Sequence, residues 1–384
     1  MPVLFALGFR PFFLLAGLLA AFLMAIWVPA FVGGFAFDTY YGQIGWHSHE
    51  MIFGYAAAVI AGFLLTAVRN WTEKPTPTGF PLAGMAALWL LGRILPYFSG
   101  IFPNWSIAFV DLAFLPAVVA GIGVPLVRGG ERRNLIFLPL LAAFWAANFL
   151  VHAELLGLAP HLARKGNFLG LNLVVLLIVI MGGRVIPFFT ERALPGVVLK
   201  RWPIIEWLSL LSAILFLLAE FFLPDSLLSA SFAALAACAN GVRLAGWYTP
   251  GYWRVPLLWV LHLGYGWIVV GFTLKAGAAL GAVPSQFTIH AFTVGGIGVL
   301  TLGMMARVAL GHTARPLAIG LAMTAAFGFV NVAAVGRGLL PIVRPQWFFQ
   351  LIITSGMLWI AAFLIFVVIY TPILTRPRVD GRPG

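Results

Sequence analysis

Twelve apolar runs, each long enough to cross a bilayer, constrain this chain more than anything else in it. They fall at about 12–32, 46–68, 80–99, 105–127, 135–157, 167–189, 204–223, 227–246, 255–279, 286–310, 317–338 and 347–370. A crossing takes about 20 mostly apolar residues to span a hydrocarbon core about 30 Å thick. Twelve crossings take up roughly 240 residues, and the rest of the 384-residue chain divides into short loops with no room for a separate soluble domain. Turn-forming residues punctuate the runs: Pro75 and Pro77, Gly129 and Gly130, Pro195 and Gly196, Pro224 and Asp225, Pro250 and Gly251, and Pro345. The break at Pro224 is the shortest, which makes the seventh and eighth runs the least secure pair. The expected fold is an all-α integral membrane protein, one polytopic membrane domain over residues 1–384.

Composition excludes an ordinary soluble domain. Apolar residues make up 62% of the chain and charged residues 9%, against roughly 45–50% and 25% in globular proteins. Mean hydropathy is +1.02. The net charge of +12 raises nucleic acid as a partner, but the basic residues are scattered over short loops and form no continuous patch, so that partner is rejected. One cysteine, Cys238, leaves no intramolecular disulfide; it lies mid-helix with no histidine beside it and reads as packing. Without a Cys-x-x-Cys-His sequence, any haem would be held non-covalently as far as that motif goes. The first run lacks a small-residue cleavage pattern and is long enough to span, so no cleaved signal peptide is expected. No Walker sequence, dinucleotide fingerprint or Gly-x-Ser-x-Gly elbow supports soluble nucleotide or hydrolase chemistry.

The basic residues carry topological information. One set of loops holds fourteen: Arg10, Arg69, Lys74, Arg128, Arg132, Arg133, Arg192, Lys200, Arg201, Arg254, Arg315, Arg376, Arg378 and Arg382. The alternate set holds three, Arg164, Lys165 and Arg344. Lys and Arg concentrate in cytoplasmic loops, so both termini are expected in the cytoplasm of a bacterial inner membrane. The alternation stays in phase along the whole chain, which supports twelve crossings independently of hydropathy.

A weak internal repeat recurs every four helices. The second, sixth and tenth runs end at Arg69, Arg184 and Arg307, and the last two share Arg-Val with a threonine six residues after the arginine. The third and eleventh carry Gly92-Arg-Ile-Leu-Pro96 and Gly336-Arg-Gly-Leu-Leu-Pro341. This period suggests three four-helix units around a pseudo-threefold axis. Coincidence in a low-complexity apolar alphabet is the competing explanation.

The seven histidines are the informative polar residues. His47 and His49 open the second helix, His152 lies near the end of the fifth, His161 is in a loop and His290 starts the tenth. With the expected topology these gather toward the outer side. His262 sits deeper in the ninth helix, and His312 closes the tenth on the inner side. A histidine inside a membrane span is expensive and marks a functional site by default. Neutral imidazole is also an axial ligand of haem and a ligand of copper. The candidate metal ligands are therefore His47, His49, His152, His262, His290 and His312, and one of His47 and His49 with His290 is the candidate haem pair. For any single histidine, an interhelical hydrogen bond is the simpler reading.

Trp46-His-Ser-His-Glu-Met51 is the densest polar cluster in the apolar region. Residues two apart on a helix point about 200° from each other, so His47 and His49 serve two centres or the helix begins between them. Glu50, and Glu154 near His152, are candidates to orient a ligand from behind. On the tenth span, His290, Ile297, Thr301, Met304, Val308 and His312 form one stripe at helical period, with Gly295, Gly296, Gly298 and Gly303 mostly opposite. One side would then pack while the other faces a cofactor; plain packing with two isolated end histidines is the alternative. Arg93, Arg184, Arg243, Lys275, Arg307 and Arg337 are cations in or at the ends of spans, with Asp111, Glu154, Glu206 and Glu220 as candidate partners. Such cations could neutralise haem propionates, although for Arg184 and Arg307 snorkelling to the interface is the simpler reading.

Several segments together resemble the NnrS family. They are Leu7-Gly-Phe-Arg-Pro-Phe-Phe-Leu-Leu15, Trp46-His-Ser-His-Glu-Met51 with Gly54, Ala61-Gly-Phe-Leu-Leu-Thr-Ala67, Gly182-Gly-Arg-Val-Ile-Pro-Phe-Phe-Thr190, His290-Ala-Phe-Thr-Val-Gly295 and Gly311-His-Thr-Ala-Arg-Pro-Leu317. In the family the last of these more often has glycine where Ala314 stands. The resemblance implies a bacterial inner-membrane protein with haem b and copper, acting in denitrifying metabolism and in defence against nitric oxide, but no assigned ligands and no assigned reaction. Nitric oxide or a related small gas would be the ligand, an unidentified electron donor the partner, and a nitric-oxide-linked oxidoreductase the enzyme class. A looser likeness is to the catalytic subunit of haem–copper oxidases, which also has twelve helices and brackets a haem with histidines of its second and tenth helices. That likeness is of fold only. A proton-coupled or metal-cargo transporter is the alternative function, and an assembly factor for another respiratory complex a third.

Overall fold

In the computed structural model, which describes residues 2–382, all twelve apolar runs are helices, and no strand occurs among the described residues. They are α1 (Phe9–Phe31), α2 (Gly42–Thr72), α3 (Phe80–Phe98), α4 (Asn104–Arg128), α5 (Arg132–Leu155), α6 (Ala163–Ala193), α7 (Pro203–Phe222), α8 (Leu227–Gly246), α9 (Pro256–Ala279), α10 (Ser285–His312), α11 (Leu321–Val343) and α12 (Pro345–Thr375). Each is long and apolar enough to cross a membrane. The pair α7 and α8 is real: a tight turn at Pro224 separates them, with Asp225 in the left-handed region at φ 55°. Several helices outrun their apolar stretches, because hydropathy registers only the apolar middle of a helix while its polar ends keep the same hydrogen bonding.

The chain forms two compact units. The first comprises residues 1–171, 305–317 and 366–384, and the second residues 172–304 and 318–365. The expected three four-helix units do not coincide with these two. In the first unit α1 packs on α2, α2 on α4, α3 on α4, and α4 on α5. Helix α2 is the most enclosed: 89% of its most apolar window is buried, against 39% for α3, α4 and α5. In the second unit α7 packs on α8, α8 on α9, α9 on α10 and α10 on α11.

Small residues set the close approaches. On α10, a Cβ at Gly295 would meet Trp267 of α9 at 2.5 Å, and one at Gly303 would meet Val260 at 2.6 Å. Gly296 likewise faces Ile268 of α9, and Gly298 faces Trp359 of α12. The glycine side of α10 is thus a packing surface, as its sequence suggests.

Helices α2 and α10 share a departure from regular winding. In α2, Glu50–Ala56 is a π-helical stretch directly after His49; in α10, Ala291–Gly298 is another directly after His290. Such stretches are rare and cluster at functional sites, because the extra residue re-aims the side chains around it.

Candidate metal centre

Four helices of the first unit bring polar groups to one point. It lies at the end where α2 and α4 begin and α3 and α5 finish. His49 closes the first α-helical segment of α2 and is wholly buried. Asp111 stands two turns into α4, and Asn148 and His152 are one turn apart on α5, all three buried. Arg93 arrives from the end of α3.

Asp111 is the hub. Its Oδ2 accepts hydrogen bonds from His152 Nε2 at 3.0 Å and from Asn148 Nδ2 at 2.7 Å, and lies 3.3 Å from His49 Nε2. Its Oδ1 is paired with Arg93. His49 Nε2 donates to Asn148 Oδ1 at 2.9 Å, and its Nδ1 lies 3.1 Å from Glu50 Oε1. The other Glu50 oxygen sits 3.3 Å from Arg93 Nε. Tyr40 OH lies 3.2 Å from His152 Nδ1. One donor atom each from His49, Asp111 and His152 falls within 4.8 Å of the others.

Local sequence explains the fit. A Cβ at Gly54, inside the π-helical stretch, would come within 2.8 Å of both Arg93 Nη1 and Glu50 Oε2. A Cβ at Gly92 would reach Asp111 Oδ1 at 3.0 Å. Glycine at both positions lets a guanidinium and two carboxylates share a small volume. Trp89 fixes the same turn by donating to the Gly54 carbonyl at 3.1 Å. Tyr41 stacks on His49 with ring centroids 4.0 Å apart and seals the top. Burial raises the titration points of the Tyr40 and Tyr41 phenols, so both stay protonated at neutral pH.

The hydrogen bonds dictate protonation. His152 donates from Nε2 and accepts the Tyr40 hydroxyl at Nδ1, which makes it neutral. His49 faces a carboxylate oxygen at one nitrogen and an amide oxygen at the other. Glu50 and Asp111 share one arginine, Arg93, so one carboxylate of the pair has no guanidinium of its own, an arrangement that suits a cation.

The other expected residues lie elsewhere. His47 is half-buried and stacks flat on Trp27 at 4.3 Å, so His47 and His49 diverge along a continuous helix. His262 and His290 belong to the second unit. His262 is buried, stacks on Tyr252 at 4.1 Å and donates from Nδ1 to the Leu258 carbonyl at 3.0 Å, while its Nε2 faces the Trp247 backbone outside hydrogen-bond geometry. His290 immediately precedes the π-helical stretch of α10. His312 ends α10 with its ring 5.6 Å from Phe9. Arg184 is exposed and Arg307 buried. Glu154 accepts the Ala163 backbone N–H at 2.7 Å at the start of α6, and Glu50 orients His49.

Asn148, Tyr40 and Tyr41 were not among the expected site residues, while Arg93 and Asp111 were expected as a buried cation and a candidate partner and not beside the histidines. The signal for Asn148 was in the sequence: an amide side chain inside an apolar span is costly, as the histidines are. Asn148 also stands four residues before His152 on the same helical face. Tyr40 and Tyr41 precede α2 in a loop and carry no such signal.

No curated protein matches the chain. Residues 3–378 match the family described as NnrS protein. With twelve membrane-crossing helices behind it and the match running almost from end to end, this chain belongs to the NnrS family.

Proposed function

We propose that His49, Asp111 and His152 hold one transition-metal ion, copper, in this membrane protein of the nitric oxide response, and that nitric oxide or a related small gas is its ligand. The observation that carries the reading is the convergence of two imidazoles and one carboxylate, all buried, with donor atoms within 4.8 Å. Imidazole and carboxylate donors suit copper, and the surrounding charge leaves room for a cation. A bound copper ion would supply a one-electron redox centre. Glu50 would orient His49 through Nδ1 and Tyr40 would orient His152 through Nδ1, which leaves each Nε2 for the ion in place of its present amide or carboxylate partner; Arg93 pairs with Asp111, and Tyr41 covers the His49 ring. A neutral gas crosses lipid and needs no polar channel.

The cluster suits a bare ion and not a haem plane. A porphyrin between His49 and His152 would have to displace Asp111 and Asn148, which bond directly to the ring nitrogens. Haem b, which the family resemblance implies, is therefore proposed as a second cofactor, with His47, His262, His290 or His312 as ligands and Arg184 or Arg307 beside its propionates. The Lys and Arg distribution supports an inner-membrane protein with cytoplasmic termini and the metal centre toward the outer side.

The test is metal analysis and an optical spectrum of protein purified in mild detergent, oxidised and reduced, with and without nitric oxide. His49→Ala and His152→Ala should each lose copper while any haem absorption stays. Full copper in both variants sinks the metal centre. No Soret band in wild-type protein made with ample haem removes haem from the proposal.

One observation favours a second reading. Each ring nitrogen of His49 and His152 already has a protein partner, and a charge arrangement that suits a cation suits a proton too. That is what a proton-coupled transporter would need. Colourless, metal-free protein that moves a substrate into vesicles under a pH gradient would favour it.

A further inference from the structure

At the other end of the first unit, where α1 begins and α10 and α12 finish, three arginines crowd together. Arg10 is wholly buried, and its Nη1 donates to the carbonyls of Leu374 at 2.8 Å and Arg376 at 2.9 Å. It closes the C-terminal end of α12, where the helix dipole favours a cation. Arg378 is also engaged. Its Nη1 donates to the His312 carbonyl at 2.8 Å, while Nε and Nη2 hold Asp380 at 2.9 and 2.7 Å. The backbone of Val379 donates to Thr313 at 3.2 Å, which lays the C-terminal segment across the end of α10.

Arg315 differs. It and Arg378 lie close enough to Arg10 to repel it, yet Arg315 Nη1 is buried with no hydrogen-bond acceptor among the described residues. A buried guanidinium nitrogen left without an acceptor forfeits its hydration, and a charged group costs more in this way than a neutral one. Arg315 as a whole is half-buried, so the rest of its side chain reaches the surface at this end of the unit. Asp380 is the nearby carboxylate, and it is already held by Arg378.

We propose that this end of the first unit binds a phosphate-bearing anion, with Arg315 as its principal ligand and Arg378 and His312 beside it. Guanidinium groups match phosphate oxygens in paired hydrogen bonds. The ends of membrane-spanning helices lie at the headgroup layer, where basic pockets between helices take anionic lipid heads. The phosphate is therefore that of an anionic phospholipid. The site shares no residue with the His49 cluster, so its test is read independently of the copper centre, and the Arg315 variants leave His312, a candidate haem ligand, unchanged.

The test is thermal unfolding of the purified full chain in detergent with added phosphatidylglycerol, phosphatidylcholine or inorganic phosphate. Phosphatidylglycerol should raise the melting temperature of the wild type by a few degrees over phosphatidylcholine, as binding to the folded state requires. Arg315→Gln should lose most of that shift. Arg315→Lys, which keeps the charge and serves if the glutamine variant does not fold, should retain only part of it. Arg132→Gln, an exposed arginine, should keep it whole. An equal shift with inorganic phosphate assigns the site to free phosphate and still supports it. A full shift in both Arg315 variants, or no shift in the wild type with either anion, overturns the proposal.

Discussion

Nε2 of His152 on α5 lies 3.0 Å from Oδ2 of Asp111 on α4, and Asp111 is also the buried partner of Arg93. One carboxylate thus ties two imidazoles, an amide and a guanidinium. Asp111→Asn keeps the shape and removes the charge. Breaking a buried ion pair from one side costs about 3–5 kcal/mol. The variant should unfold at markedly lower temperature in detergent and retain little copper. Wild-type metal content in Asp111→Asn would remove Asp111 from the ligand set.

Gly54→Ala leaves every proposed ligand in place. Its new methyl would press on Arg93 Nη1 and Glu50 Oε2, each 2.8 Å from the Cβ position. The side chains must shift, at a cost of about 1–3 kcal/mol. Metal occupancy should fall although His49, Asp111 and His152 are all present. Copper analysis beside a melting curve separates this from general unfolding.

Acidification should release the metal before the protein unfolds. Metal and proton compete for the imidazole nitrogens and the carboxylate, so binding weakens as pH falls and each ligand takes up a proton. The hydrogen-bond network already has a place for one proton, between His49 and Glu50. Metal content measured after equilibration at a series of falling pH values should drop while helical circular dichroism persists. Loss of both signals together would count against a discrete site.

Ala314→Gly should stabilise the protein. Helix α10 ends in a paired closure, Arg315 N–H to the Leu310 carbonyl at 3.0 Å and Ala314 N–H to Gly311 at 3.2 Å, which puts Ala314 in the left-handed region at φ 57°. Glycine takes this conformation without the steric penalty that a Cβ adds. A gain of about 1 kcal/mol is expected, read as a higher melting temperature.

The sequence by itself determined the twelve helices, because in lipid a long apolar run has few ways to satisfy its backbone other than a helix. It also placed His49 and His152 among six candidate histidines, since a titratable side chain in such a run is costly, but it favoured His47 or His49 with His290 as the pair. Glu50 was legible as a group behind a ligand, and that ligand is its immediate neighbour His49. What the sequence could not decide is which groups meet. Asp111 lies 62 residues from His49 and 41 from His152, and nothing in local spacing joins α2, α4 and α5. Their convergence depends on how the helices rotate and how closely they pack. Those were set by Gly54, Gly92 and the π-helical stretch after His49, whose effects exist only once the neighbouring helices are in place. Tertiary packing likewise separated His47 from His49 and left Arg315 Nη1 buried with no hydrogen-bond partner among the described residues.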